Sequence, residues 1–183
     1  MDLAVQALTI AGVLVGAVST YLAGYLVERS KDRRGLSLRW DERKLDTYVS
    51  YVADVRDVIY AAVLLFEVRE GIRTMNKTVD QLTLGLVEAE RSRVLLFEQL
   101  VMLGGVSVVD VAHELNKAVH AIDWRARALT DEDLAGWRAL HVRAFQLINE
   151  FHNAARADLG VVGNLPSDHS GLSLNLPPAR QDL

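Results

Sequence analysis

The chain has 183 residues, half of them apolar and only 7% aromatic, with no cysteine and a formal net charge of -4. That length holds one ordinary domain with an anchor and a tail and leaves no room for a second full domain; the missing cysteines exclude disulfides, thiolate catalysis and thiolate metal sites. The charge is uneven: Glu28 to Lys44 carries a net +3 and the chain from Leu45 onward a net -6, an acidic body that argues against a nucleic-acid partner, because a phosphate backbone is bound by clustered cations.

The first element is an uncharged stretch of 25 residues, Leu3 to Val27. As a helix it is roughly 37 Å long, enough to cross a hydrocarbon core of about 30 Å with some tilt. Tyr21 and Tyr25 stand near its end, where amphipathic rings favour the headgroup region. A cleaved signal peptide is the competing reading, but such a peptide carries its cations ahead of the apolar run. Here Arg29, Lys31, Arg33 and Arg34 all follow it. By the positive-inside rule, residues 1–28 are expected to be an uncleaved plasma-membrane anchor with the N-terminus outside and the rest of the chain cytoplasmic. Within the span Gly12, Gly16, Thr20 and Gly24 recur every fourth residue. Such a ridge of small side chains lets two helices approach closely and is a candidate self-association seam. Residues 29–38 form a basic juxtamembrane segment suited to anionic lipid.

All three prolines, Pro166, Pro177 and Pro178, lie in the last 18 residues, while Gly35, Gly71, Gly104 with Gly105, and Gly160 punctuate the stretch before them. Four segments of helical length result. The first carries Leu45, Tyr48, Val52, Val55, Ile59, Ala62 and Phe66, alternately three and four apart, the stripe of a helix packed at a shallow angle. The second carries Val79, Leu82, Leu86, Ala89, Leu96, Leu100 and Leu103. Arg93 interrupts it and is expected at the boundary, its stem along the interface. The third is expected to start at Ser107, with Asp110 three residues on, and carries Ala112, Leu115, Val119, Ile122, Ala126 and Leu129. The fourth is expected to start at Thr130, with Asp133 three residues on, and runs through Trp137, Leu140, Ala144, Leu147, Phe151 and Ala154. The expected fold is therefore all-α: a transmembrane helix, then an antiparallel four-helix bundle over residues 39–160. Residues 161–183, rich in Gly, Pro, Ser and Asn, read as a flexible tail.

The third helix carries the candidate site. At 100° per residue His113, Lys117, His120 and Trp124 fall opposite its apolar stripe together with Asp110, facing water or a partner. Ala112, His113 and Leu115 match the pattern A-H-x-L-K-G, and here the chain resembles histidine phosphotransfer domains, four-helix bundles with a phosphorylatable histidine exposed in mid-helix. Asn116 and Lys117 depart from the pattern, standing where it has lysine and glycine. That puts in doubt the approach of a receiver domain to the ring.

No metal, cofactor or catalytic constellation is expected. His113 and His120 are seven residues apart and His141 and His152 eleven, about 10 Å and 16 Å along a helix, too far to share one ion unaided. No phosphate-binding glycine loop and no G-x-S-x-G serine occurs. With its apolar opening, the segment R-W-D-E-R-K-L-D-x-Y at Arg39 to Tyr48 and A-R-A-D-L-G at Ala155 to Gly160, the chain resembles small single-pass membrane-anchored helical proteins of high-GC Gram-positive bacteria. The resemblance implies a plasma-membrane location and no particular reaction.

The expected function is a membrane-tethered interaction or scaffold module that meets the lipid bilayer and a protein partner or a second copy, and is not an enzyme. Two alternatives are a histidine phosphotransfer-like signalling bundle using His113 and an oligomeric membrane effector acting through the transmembrane helix.

Overall fold

The computed structural model describes residues 39–131 and 133–163. The expected span Leu3–Val27, its ridge of Gly12, Gly16, Thr20 and Gly24, the basic segment before residue 39 and most of the expected tail lie outside the described residues. Among the described residues no helix is long and apolar enough to cross a membrane. The chain divides into two units, Met1–Arg43 and Lys44–Leu183, and the packing below belongs to the second.

The described residues form four α-helices and no strand: α1 over residues 39–69, α2 Val79–Leu103, α3 Val106–Ala126 and α4 Leu134–Asp158. The order of contacts along the helices makes them a bundle of alternating direction. Tyr48 near the start of α1 meets Phe151 near the end of α4 edge-on at 5.9 Å, and Phe66 near its end stacks on Trp137 at 4.2 Å. Phe97 of α2 meets His113 early in α3 at 4.9 Å, while Glu90 faces His120 later in it. Helix α1 is the hub. Its Tyr51 ring lies 6.2 Å from Phe97 of α2 and 5.2 Å from Phe151 of α4, and its hydroxyl donates to Asn116 of α3.

Three of the turns share one closure. Gly71 and Gly160 take φ of +69° and +71°, and the amide after each reaches back five residues, Ile72 to Glu67 and Val161 to Arg156. This is the Schellman end, which needs one left-handed residue and favours glycine there. The same hydrogen bonds close α3, Leu129 to Trp124 and Ala128 to Arg125, with Ala128 in the left-handed position at φ +58°. Helix α2 starts on a reciprocal cap: the Thr78 hydroxyl accepts from the Gln81 amide at 3.2 Å and the Gln81 side chain accepts from the Thr78 amide at 3.0 Å.

Between α2 and α3 the turn is only Gly104 and Gly105, and a Cβ on Gly105 would fall 2.3 Å from Asp158 Oδ1. Asp158 in turn accepts from Lys44 Nζ at 2.9 Å and from the Tyr48 hydroxyl at 2.6 Å. Three parts of the bundle thus converge on one carboxylate. Burial opposes its ionisation, but the hydrogen bonds from Tyr48 and Lys44 outweigh that and hold it below the usual carboxylate range. Burial, and then the bond to Asp158, push the Tyr48 phenol well above its ordinary range, so it stays a donor.

The expected helices are present, and several expected details differ. Helix α3 begins at Val106 rather than Ser107; Gly105 is the cap and its carbonyl already accepts from Val108 and Val109, because the two-residue turn leaves no slack. Helix α4 is capped by Asp133 rather than Thr130, its carboxylate accepting from the Gly136 amide at 2.8 Å; the residues before it are taken up by the Schellman turn. Leu45, Val79 and Leu129 are exposed, the first two early in their helices and the last beyond the end of α3. The buried face of α1 is also wider than the expected stripe and includes Tyr51, Val58, Val63 and Leu65, since three helices pack around it.

The left-handed Ala128 yields a test whose sign reverses the ordinary glycine penalty. Ala128→Gly should raise stability by about 0.5–1 kcal/mol in urea denaturation, because it removes the Cβ clash of a left-handed residue. An unchanged or lowered midpoint would contradict that conformation.

Candidate functional site

The seam between α2 and α3 is built around an arginine. Leu82, Leu86 and Leu100 of α2 are buried, and Arg93 occupies the middle of that stripe with only 1% of its surface exposed. A guanidinium out of water must satisfy its donors within the protein. Nε and Nη2 donate to Glu90 Oε2 at 2.8 and 2.7 Å, a forked pair one turn away on the same helix. Nη1 donates to Asn116 Oδ1, which also accepts from the Tyr51 hydroxyl at 2.7 Å. Nη2 stands 3.4 Å from His120 Nε2, and His120 Nδ1 is 3.7 Å from the second oxygen of Glu90. Arg93 is therefore a core group joining three helices, which corrects its expected place at the interface boundary. Burial holds the Tyr51 phenol well above its ordinary range, against the opposing charge of Arg93.

Above this polar floor lies an open groove of about 550 Å³ between α2 and α3, bordered by Val87, Arg91, Val94, His120, Trp124 and Leu129. Two of the four candidate residues of α3 belong to it: His120 is partly exposed, and Trp124, 51% exposed, stacks beside it at 6.3 Å. The other two stand apart from the groove. His113 is exposed with its ring against Phe97, and Lys117 pairs with Glu114 at 2.7 Å. Asn116, where the phosphotransfer pattern has lysine, is turned inward onto Tyr51 and Arg93.

The larger surface feature is one the stripe reading passes over. Helix α2 has a second apolar side: Leu84, Val87, Val94, Leu95, Val101 and Met102 are all exposed, Met102 by 83%. Its signal in the sequence is the sevenfold spacing of Val87, Val94 and Val101, with Leu95 and Met102 repeating the interval. One helix presents only one side to its neighbours, so apolar residues on both sides leave one side over. Joined to Val87, Val94 and Trp124 of the groove, this face suits contact with an apolar partner surface.

Other ionisable groups are placed for packing. His141 of α4 is buried against Trp137, its Nδ1 2.8 Å from the Trp137 carbonyl. Burial holds this imidazole below its usual 6.5 and does the same for His152, where Arg56 adds to the effect. Among the described residues no three His, Asp or Glu side chains gather as metal ligands. No protein-family model matches the chain, and no curated protein or solved structure matches it either.

Removing Arg93 strands Glu90 in a site 14% exposed. Arg93→Ala should cost about 3–5 kcal/mol in urea denaturation, and Arg93→Met combined with Glu90→Gln should recover most of that loss. Equal losses in the single and double variants would show that the pair is not the cause.

Stability should also depend on pH. His141 and His152 refuse protons in the folded chain that the unfolded chain takes up below about 6.5, so their contribution is complete above that value and is lost as pH falls. Stability should decline below pH 6.5 by up to about 1.4 kcal/mol per pH unit for each group. His141→Leu should flatten the decline in denaturant midpoint against pH, and an unaltered slope would refute the assignment.

Proposed function

We propose that this chain is a membrane-tethered helical interaction module whose working surface is the outer face of α2 with the adjoining groove of α3. In this reading the uncharged stretch Leu3–Val27 crosses the plasma membrane, and Arg29, Lys31, Arg33 and Arg34 hold the following chain on the cytoplasmic side. The observation that carries it is the exposed apolar side of α2, from Leu84 to Met102, bordered by the half-exposed Trp124. A module of this kind needs no reactive group. Its work is to hold a partner at the membrane, and a bundle with one exposed apolar face meets that requirement.

The proposal has a test for each half. Full-length chain should stay with membranes through an alkaline carbonate wash, and Leu14→Asp with Val15→Asp should release it, since each central charge costs about 2.5–3.5 kcal/mol of insertion. Wild-type chain in the soluble fraction would refute the tether. Solubilised from native membranes, the chain should sediment as an assembly larger than itself, and Val94→Glu should reduce it to a single chain with unchanged helicity. Identical sedimentation of the two would refute the contact role of the α2 face.

A further inference from the structure

We propose that the outer face of α2 pairs with the same face of a second copy of this chain, antiparallel about a two-fold axis that passes between Val94 and Leu95. This rests on the reading of that face as a contact surface and names its occupant.

Two charges are set within the apolar face. Arg91 and Glu98 are both exposed, and among the described residues neither has an ion-pair partner. They are seven residues apart, which in a helix is two turns less about 20°, so they lie on nearly the same line roughly 10 Å apart. A foreign partner would need its own acid and base at that spacing. A second copy turned end to end brings them already: Arg91 of each copy stands level with Glu98 of the other, and one sequence feature makes two ion pairs. The same rotation sets Val94 against Leu95 and Val87 against Met102, apolar against apolar along the contact.

Other arrangements satisfy these residues less well. A parallel pair in register would place Arg91 beside Arg91 and Glu98 beside Glu98, and like charges across a contact repel. A face lying in lipid would carry both charges into the acyl boundary without counter-charges, at a cost in desolvation.

The chain has no cysteine, so an introduced thiol is the only one. The test uses full-length chain in native membranes with a short bismaleimide. Leu95→Cys, beside the axis, should join two copies, whereas Gln146→Cys, exposed on α4, should not. Val87→Cys alone should fail, its two copies lying about 22 Å apart along the helices, but Val87→Cys coexpressed with Met102→Cys should succeed. In the Leu95→Cys background, Arg91→Glu or Glu98→Arg should weaken joining about tenfold. Coexpressing the two single variants, or combining both changes in one chain, should restore it.

Joining through Val87→Cys alone would overturn the antiparallel arrangement, and joining indifferent to Arg91 and Glu98 would overturn the register. No joining at Leu95→Cys, whether the face then meets lipid or another protein, would overturn the second copy as occupant. The tether fails separately: charge-dependent joining in a chain that carbonate releases would remove the membrane reading and keep the pair, while a retained chain that never joins would do the reverse.

Discussion

Placing a guanidinium at the centre of the α2 seam limits how the rest of the bundle can pack. Arg93 is as buried as the leucines around it, and a cation there is tolerable only when its donors are matched by acceptors in fixed positions. Glu90 comes from the same helix, so that half of the match is set by α2 itself. Asn116 comes from α3 and is held by Tyr51 of α1. A slide of α2 by one turn would carry the guanidinium away from the amide oxygen and leave Nη1 without its acceptor. The network thus supplies register, which apolar packing among similar leucines specifies weakly.

The far end of the bundle is held by a second polar contact of different character. Asp158 gathers Lys44, Tyr48 and the close approach of Gly105, joining the first residues of the packed unit, the α2–α3 turn and the end of α4. Between these ends the core is aromatic and aliphatic: Phe66 stacks on Trp137 at 4.2 Å, and the Arg125 guanidinium stands 5.0 Å above the Phe66 ring. Direction and end-to-end alignment therefore rest on a few polar contacts, while burial of α1 on three sides supplies the bulk of the driving force.

These constraints bear on function through α2. Its inward side is narrow, with three leucines and the Arg93 pair, and nothing in the bundle covers its other side among the described residues. Leu84, Val87, Val94, Leu95, Val101 and Met102 remain at the surface beside Trp124. The groove at that border has a polar floor largely committed to structure, for the Arg93 guanidinium is held by one oxygen of Glu90 and by Asn116. What the surface offers is shape and apolar area with a pair of opposite charges, the ingredients of a protein contact.

The all-α class, the four helices and most of their buried positions were legible from spacing alone: Tyr48, Val52, Val55, Ile59, Ala62 and Phe66 of α1 are all buried, because periodicity of apolar residues is a local property that tertiary packing seldom reverses. The Gly71 and Gly160 helix ends were legible for a similarly local reason, a left-handed closing residue. Less was legible where the decision was not local. Arg93 reads as a boundary residue until Asn116 and Tyr51 are known to converge on it, Ala128 occupies a position that glycine usually takes, and the packed stripe of α2 is legible while its second, exposed apolar side is not. Which residues form helices, and which stripe of α2 packs, follow from groups a turn or two apart along the chain; that Arg93 is the buried cation, and that the second apolar side of α2 stays uncovered, follow only from partners brought together from distant parts of it.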